Sequence, residues 1–238
     1  MTDVVGDTPG EPAPLIAPRW RSRRAAAVAG IIFAILLTAG LVIVRATLSG
    51  NSLVELAADP GRRRLLQAGL NVAPFASIAF LWFIGVIRDQ IGAVEDRLFS
   101  TVFLGSGILF VAMLFLGAVV STSLLEHLST TASGAAAWNY GRDATRALVS
   151  VYAMRMAAVF TLSVSTLALR TGAVPRWVAV LGYVEAIALL LVATDNQWVQ
   201  LAFPAWVLVL SVTILVTRPA VDRNAPARMS ETIVSDGA

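Results

Sequence analysis

The sequence predicts an all-α membrane protein, a bundle of six transmembrane helices with both termini cytoplasmic. Three observations carry that expectation. Six apolar runs of about 18 to 23 residues recur along the chain, and a helix needs about 20 to cross a bilayer core. Charged residues make up 14% of the chain against 57% hydrophobic, and they gather in short clusters between the runs, as a membrane protein's loops require. The arginines are also divided unevenly between the two sides.

Taken in order, residues 1–24 form a tail rich in Pro, Gly and acidic residues, ending in Arg19-Trp20-Arg21-Ser22-Arg23-Arg24. It has little to bury and is expected to be a disordered cytoplasmic tail. The first apolar run, AAAVAGIIFAILLTAGLVIV (25–44), follows at once. A basic cluster before an apolar stretch suggests a signal peptide, but this run exceeds the 7–15 residues of a signal core. It reads as an uncleaved first span. Further spans are expected at 66–87, 100–121, 147–169, 177–194 and 199–217, which makes 25–217 the transmembrane domain. Residues 218–238 read as a second disordered cytoplasmic tail. Asp195-Asn196-Gln197-Trp198 separates the last two runs and forces a tight antiparallel hairpin.

Two links are longer. In 45–65, Asp59-Pro60 reads as the cap and first residue of the helix that becomes the second span. In 122–146, the stretch AAAWNYGRDATRA (135–147) reads as an outward helical extension of the fourth span. No internal repeat is visible.

Arginine bias sets the direction. With the N-terminus inside, Arg19, Arg21, Arg23, Arg24, Arg88, Arg97, Arg170, Arg176, Arg218, Arg223 and Arg228 are inside, against Arg62, Arg63, Arg64, Arg142 and Arg146 outside. The bias favours both termini inside, and the Arg62–Arg64 run is its awkward feature. Trp20 and Trp177 fall at the inner interface and Trp198 at the outer one, as an aromatic belt would place them.

Composition excludes much chemistry. The net charge is only +3 and lies beside apolar runs, so the lipid bilayer is the expected partner and nucleic acid is not. There is no cysteine and one histidine, His127, which removes disulfides, thiolate catalysis and any His- or Cys-based metal or haem site. No metal and no cofactor is expected. Gly105-Ser106-Gly107 lacks the spacing of a nucleophile turn, and no histidine lies in a span to serve it. It reads as close packing through small residues. The residues offer no catalytic constellation. A lipid-acting membrane enzyme is left open but not favoured.

What the membrane region does contain is a candidate polar site: Arg155, Glu185, Asn71, Gln67, Tyr152 and Thr166. Arg155 lies about 22 Å from the inner end of its helix, and Tyr152, Ser163 and Thr166 share its face. That face is expected to form a polar stripe pointing inward, since an arginine at mid-span costs about 2.5–3.5 kcal/mol. Glu185 lies about 13 Å from the inner side, so the two differ in depth by about 9 Å. They read either as a functional pair or as an interhelical contact that fixes packing. Gln67 and Asn71 share a face one turn before Pro74, and read either as solute contacts or as interhelical hydrogen bonds. Pro204 has the same two readings. Arg45 reads as a snorkelling end residue, and Glu126 with His127 as a solvated pair.

Two stretches, PFASIAFLWFIGVIRDQIGAVEDRLFSTVFLGSG (74–107) and YAMRMAAVFTLSVSTLALRTGAVPRWVAVLGY (152–183), resemble a group of uncharacterised multi-span membrane proteins of high-GC Gram-positive bacteria. The resemblance implies six helices and a plasma-membrane location. It carries no substrate or activity. The sequence therefore points to a multi-pass protein that is either transporter-like, moving a small solute or ion along the stripe of span four, or a non-catalytic accessory subunit with a partner membrane protein.

Overall fold

A computed structural model describes residues 19–48, 53–91, 97–127, 131–172, 174–192 and 196–216. Residues 1–18 and 218–238, which fall in the expected disordered tails, lie outside the described residues, as do Thr217 of the expected sixth span, the Trp20 side chain and residues 193–195. The elements are α1 (Arg19–Leu48), α2 (Leu53–Ala58), α3 (Pro60–Ile91), α4 (Arg97–Glu126), α5 (Ala132–Arg146), α6 (Met154–Thr171), α7 (Arg176–Leu191) and α8 (Ala202–Val216). A π-helical segment, Ala147–Ala153, joins α5 to α6 without a break, and a 3-10 turn, Gln197–Leu201, leads into α8. The described residues contain no strand.

Among the described residues, five helices are long and apolar enough to cross a membrane: Arg24–Thr47, Pro60–Arg88, Ser100–Glu126, Ala132–Thr171 and Trp198–Val216. They are compatible with an integral membrane protein. The expected run at 177–194 yields α7, which has 16 residues and is about 24 Å long. Its start is fixed from outside. Gly172 ends α6 in the left-handed conformation at φ 63°, which a Cβ would oppose, and Pro175 then occupies the N-cap of α7.

The helices run past the apolar runs that seed them. Helix α1 begins at Arg19, inside the stretch expected as a tail, because arginine is a good helix former where nothing else is demanded. Helix α3 begins at Pro60 as its sequence implies: Asp59 Oδ1 accepts from the Arg62 N–H at 3.1 Å, and proline's missing donor is not needed at a first helical position. Counting about 20 residues back from Arg88, one bilayer core, reaches Ala68. The Arg62–Arg64 run thus falls on a helical extension beyond the apolar span.

Neighbouring helices close a ring: α1 on α3, α3 on α4, α4 on α6, α6 on α7, α7 on α8 and α8 back on α1. Helices α1 and α8 are antiparallel, since Gly30 meets Ser211 while Arg45 lies 4.6 Å from the Trp198 ring centre. The start of α1 and the end of α8 therefore share one end of the bundle. The other is the Arg45 end.

Inside the ring lies a cluster of fully buried phenylalanines: Phe33 from α1, Phe80 and Phe83 from α3, Phe103 and Phe110 from α4, Phe160 from α6 and Phe203 from α8. Phe80 is its hub. Its ring centre is 4.5 Å from Phe33, 5.0 Å from Phe160, 5.1 Å from Phe110 and 5.9 Å from Phe203, within the range of favourable aromatic pairs. Small residues let the backbones approach around it. A Cβ on Gly69 would sit 2.7 Å from Ile43 of α1, and one on Gly182 2.9 Å from Trp206 of α8. Trp206 Nε1 in turn donates to the Val178 carbonyl at 3.2 Å, tying α8 to the start of α7. The Gly105-Ser106-Gly107 stretch acts in the same way: Gly107 faces Ile84 of α3, and buried Ser106 donates to the Phe103 carbonyl of its own helix at 3.1 Å.

Phe80→Ala should lower unfolding stability in detergent by about 3 kcal/mol. Trp82→Ala, at a position 71% exposed, should stay within about 0.5 kcal/mol. Equal effects at the two positions would remove the cluster from its central role.

Candidate functional site

The candidate polar residues are not brought together. Glu185 is buried at 6% exposure, and neither carboxyl oxygen has a hydrogen-bond partner. The Thr161 hydroxyl of α6 faces it but falls outside hydrogen-bonding geometry. Arg155 and Tyr152 are exposed on the outside of the bundle, and no ion pair joins Arg155 to Glu185. Gln67 and Asn71 are also exposed, close to the outer limit of the α3 span counted above. Pro74 is carried inside a continuous α3. Pro204 sits in the first turn of α8 just after the 3-10 turn, where a missing donor matters little.

One contact does join the expected stripe to a neighbour. Thr166 Oγ1 donates to the Leu162 carbonyl at 2.8 Å and lies 2.6 Å from the Tyr183 hydroxyl of α7. With the threonine proton on the carbonyl, the tyrosine donates. This bond ties α6 to α7 on the bundle's outer half-buried face.

The expected stripe is split: Arg155 and Tyr152 face outward, whereas Thr166 is half-buried and Ser163 is buried, because the rest of α6 is the face that packs. Ala153, Ala157, Ala158, Phe160, Val164 and Ala168 are buried, and they let α4 and α7 close on the helix. Arg155 does not need a cavity. Its helix starts at the Arg45 end, and helical side chains lean toward their N-terminus. Its side chain therefore leans toward the Arg45 end of the bundle.

The polar space lies elsewhere. A cavity of about 470 Å³ opens at the Arg45 end, between α1, α3, α4, α5 and the π-helical segment. Its deep walls are Leu36, Leu37, Leu41, Ala76 and Leu114. Its mouth carries Arg45, Arg142, Asp143, Thr145 and Arg146 with Trp138 and Ser121. From Arg45 to Leu36 is nine residues of one helix, so the cavity is about 13 Å deep. At its deep end, Leu37, Ala76 and Leu114 belong to the same buried cluster as the phenylalanines.

Several local features shape this space. The π-helical segment supplies Val149 and Ser150 to the wall, and the close approach of Val149 to Gly117 of α4 seals one side. Ser121 of α4 donates to the Gly117 carbonyl at 2.8 Å and lies 3.1 Å from the Thr145 hydroxyl of α5, locking the two helices at the mouth. Thr131 caps α5 by accepting from the Gly134 N–H at 3.2 Å. Helix α2 folds over the rim: Leu56 packs with Leu66 and Leu70 beside Val44, Leu125 and Trp138. Arg45 is held over Trp198, so the α1 end and the 3-10 turn are joined.

Gln200, on that 3-10 turn, is the residue that sequence reasoning missed. It lines the cavity, is 5% exposed, and its Nε2 has no hydrogen-bond partner. The available signal was a lone amide two residues inside the Trp198 interface position. Arg142 and Arg146 were legible as outer arginines, but not as cavity residues.

No protein family, no curated protein and no solved structure matches the chain. The site's own geometry is therefore what its function must be read from.

A double-mutant cycle checks the separation of Arg155 and Glu185. Arg155→Ala and Glu185→Gln should each change unfolding stability by less than about 1 kcal/mol, with a coupling energy within about 0.5 kcal/mol of zero. A coupling above about 2 kcal/mol would mean that the two side chains meet.

Proposed function

We propose that the chain is a multi-pass plasma-membrane protein that admits a small solute to a blind cavity at one end of its bundle, in the manner of a transporter held open on one side. The observation that carries this reading is the polar-mouthed, apolar-walled cavity, whose size falls in the usual range of ligand sites. The phenylalanine cluster beneath it is the barrier that passage would have to open. The polar stripe expected to serve a solute gives way in this reading to the cavity.

The same proposal takes α7 as a sixth span. Six alternating spans put both termini on one side, and antiparallel α1 and α8 support that arrangement. The arginine bias makes that side the cytoplasm, so the cavity opens outward. The resemblance to multi-span proteins of high-GC Gram-positive bacteria is consistent with a plasma membrane.

A second reading rests on Arg155 and Tyr152. Exposed side by side on the outer surface of a span, they suit a polar contact with a partner membrane protein, as an accessory subunit would make.

The absence of native cysteine makes single-cysteine labelling direct. Ser121→Cys at the mouth should react with a membrane-impermeant maleimide on intact cells, while Ser77→Cys, fully buried, should not. Thr8→Cys and Ser235→Cys should react only after permeabilisation. Labelling of the two termini from opposite sides would overturn the six-span reading. Protection of Ser121→Cys would overturn the open cavity.

Arg155→Ala separates the two functional readings. If the protein acts as a subunit, the change reduces the size of the solubilised complex on native gels. Cavity labelling stays as in the wild type. Loss of cavity labelling instead would assign Arg155 to the solute path.

A further inference from the structure

The cavity's chemistry is divided along its length, and the division identifies a ligand class. This inference rests on the cavity reading above and names its occupant. Two independent features point the same way. The mouth carries three arginines, Arg45, Arg142 and Arg146, against one aspartate, Asp143, so its field favours an anion. Further in, Gln200 presents a buried amide Nε2 with no acceptor. An unmet buried donor costs about 1–3 kcal/mol, which an incoming oxygen would recover. Both features ask for oxygen acceptors. Apart from Ser150 of the π-helical segment, the deeper walls are leucine, valine, alanine and glycine, and they ask for hydrocarbon.

We propose that the cavity binds a single-chain amphiphile with an anionic head, the tail lying between Leu37 and Leu114 and the head held by Gln200 and the arginines of the mouth. The head is a carboxylate or a phosphate monoester, since either supplies the acceptors. The volume of about 470 Å³ suits one short chain and not two. Arg142 and Arg146 come from α5 and Gln200 from the 3-10 turn, so the head bridges two separate elements. Arg45, set over Trp198, contributes charge from a fixed position.

The test uses the full-length protein in nanodiscs of zwitterionic lipid, with binding followed by calorimetry. Decanoate and decyl phosphate should bind saturably. Decyltrimethylammonium, with the same tail and the opposite charge, should bind at least about tenfold more weakly. Gln200→Leu should weaken decanoate binding about tenfold, the loss of one hydrogen bond to a charged group. The melting temperature of the empty variant should be unchanged or raised, because an orphan donor has been removed. Leu37→Trp, which fills the tail site, should abolish binding. Arg142→Gln with Arg146→Gln should weaken the anions and leave decanol unaffected.

Equal binding of cation and anion, or decanoate binding untouched by Gln200→Leu, would overturn the proposal. Competition by diacyl phosphatidylglycerol doped into the discs would assign the occupant to the bilayer. Competition by the free fatty acid alone would assign it to the aqueous side. If Ser121→Cys is open to maleimide and decanoate still fails to bind, the ligand class falls while the cavity stands. If Ser121→Cys is closed, both fall.

Discussion

The contact between Phe80 and the phenylalanines of four other helices is the constraint on which the rest of the bundle depends. In lipid, apolar helices gain little by hiding from their surroundings, because the tails are as apolar as they are. What holds them is close packing, and aromatic rings offer much contact area from a single residue. Phe33, Phe103, Phe110, Phe160 and Phe203 all reach one region from different directions. Once that region is filled, the helices around it have little freedom in rotation or depth. Glycines at the helix contacts then decide how near the backbones come.

The cavity is the complement of this packing. Above Phe33 and Phe110, the facing side chains of α1, α3 and α4 shrink to leucine, alanine and glycine, and the space is left empty. The long helices continue beyond it and bring arginines, a tryptophan and two hydroxyl residues to its rim. One set of helices thus makes both a plug and a vestibule, and the boundary between them is a change in side-chain size.

The helical architecture was legible because hydrophobic runs, charge clusters and caps act locally. Asp59-Pro60 is a case in point, and the capping bond is present. The α7 segment was less legible, since Pro175 at its N-cap, rather than hydropathy, decides where it starts. Grouping Tyr152, Arg155 and Thr166 on one face followed from helical periodicity, but periodicity has no inside or outside. That depends on which neighbours arrive, and the alanines at 153, 157 and 158 settled it against the arginine. Gln200 was illegible for a related reason. A lone amide near an interface tryptophan gives no local sign that it will line a cavity shared with α1, α3, α4 and α5.

The π-helical segment Ala147–Ala153 has a structural consequence of its own. Bonding five residues back, where an α-helix bonds four, lets one additional residue into the rod without breaking it. The helical phase on its two sides is thereby decoupled. Helix α6 keeps the register that its packing against α4 and α7 demands, while α5 is turned separately, so that Arg142 and Arg146 look into the cavity and Arg155 looks away from it. Were this rod α-helical throughout, one phase would have to serve both ends. The segment works as a spline between two gears, setting the angle at which the bundle's wall becomes the cavity's mouth.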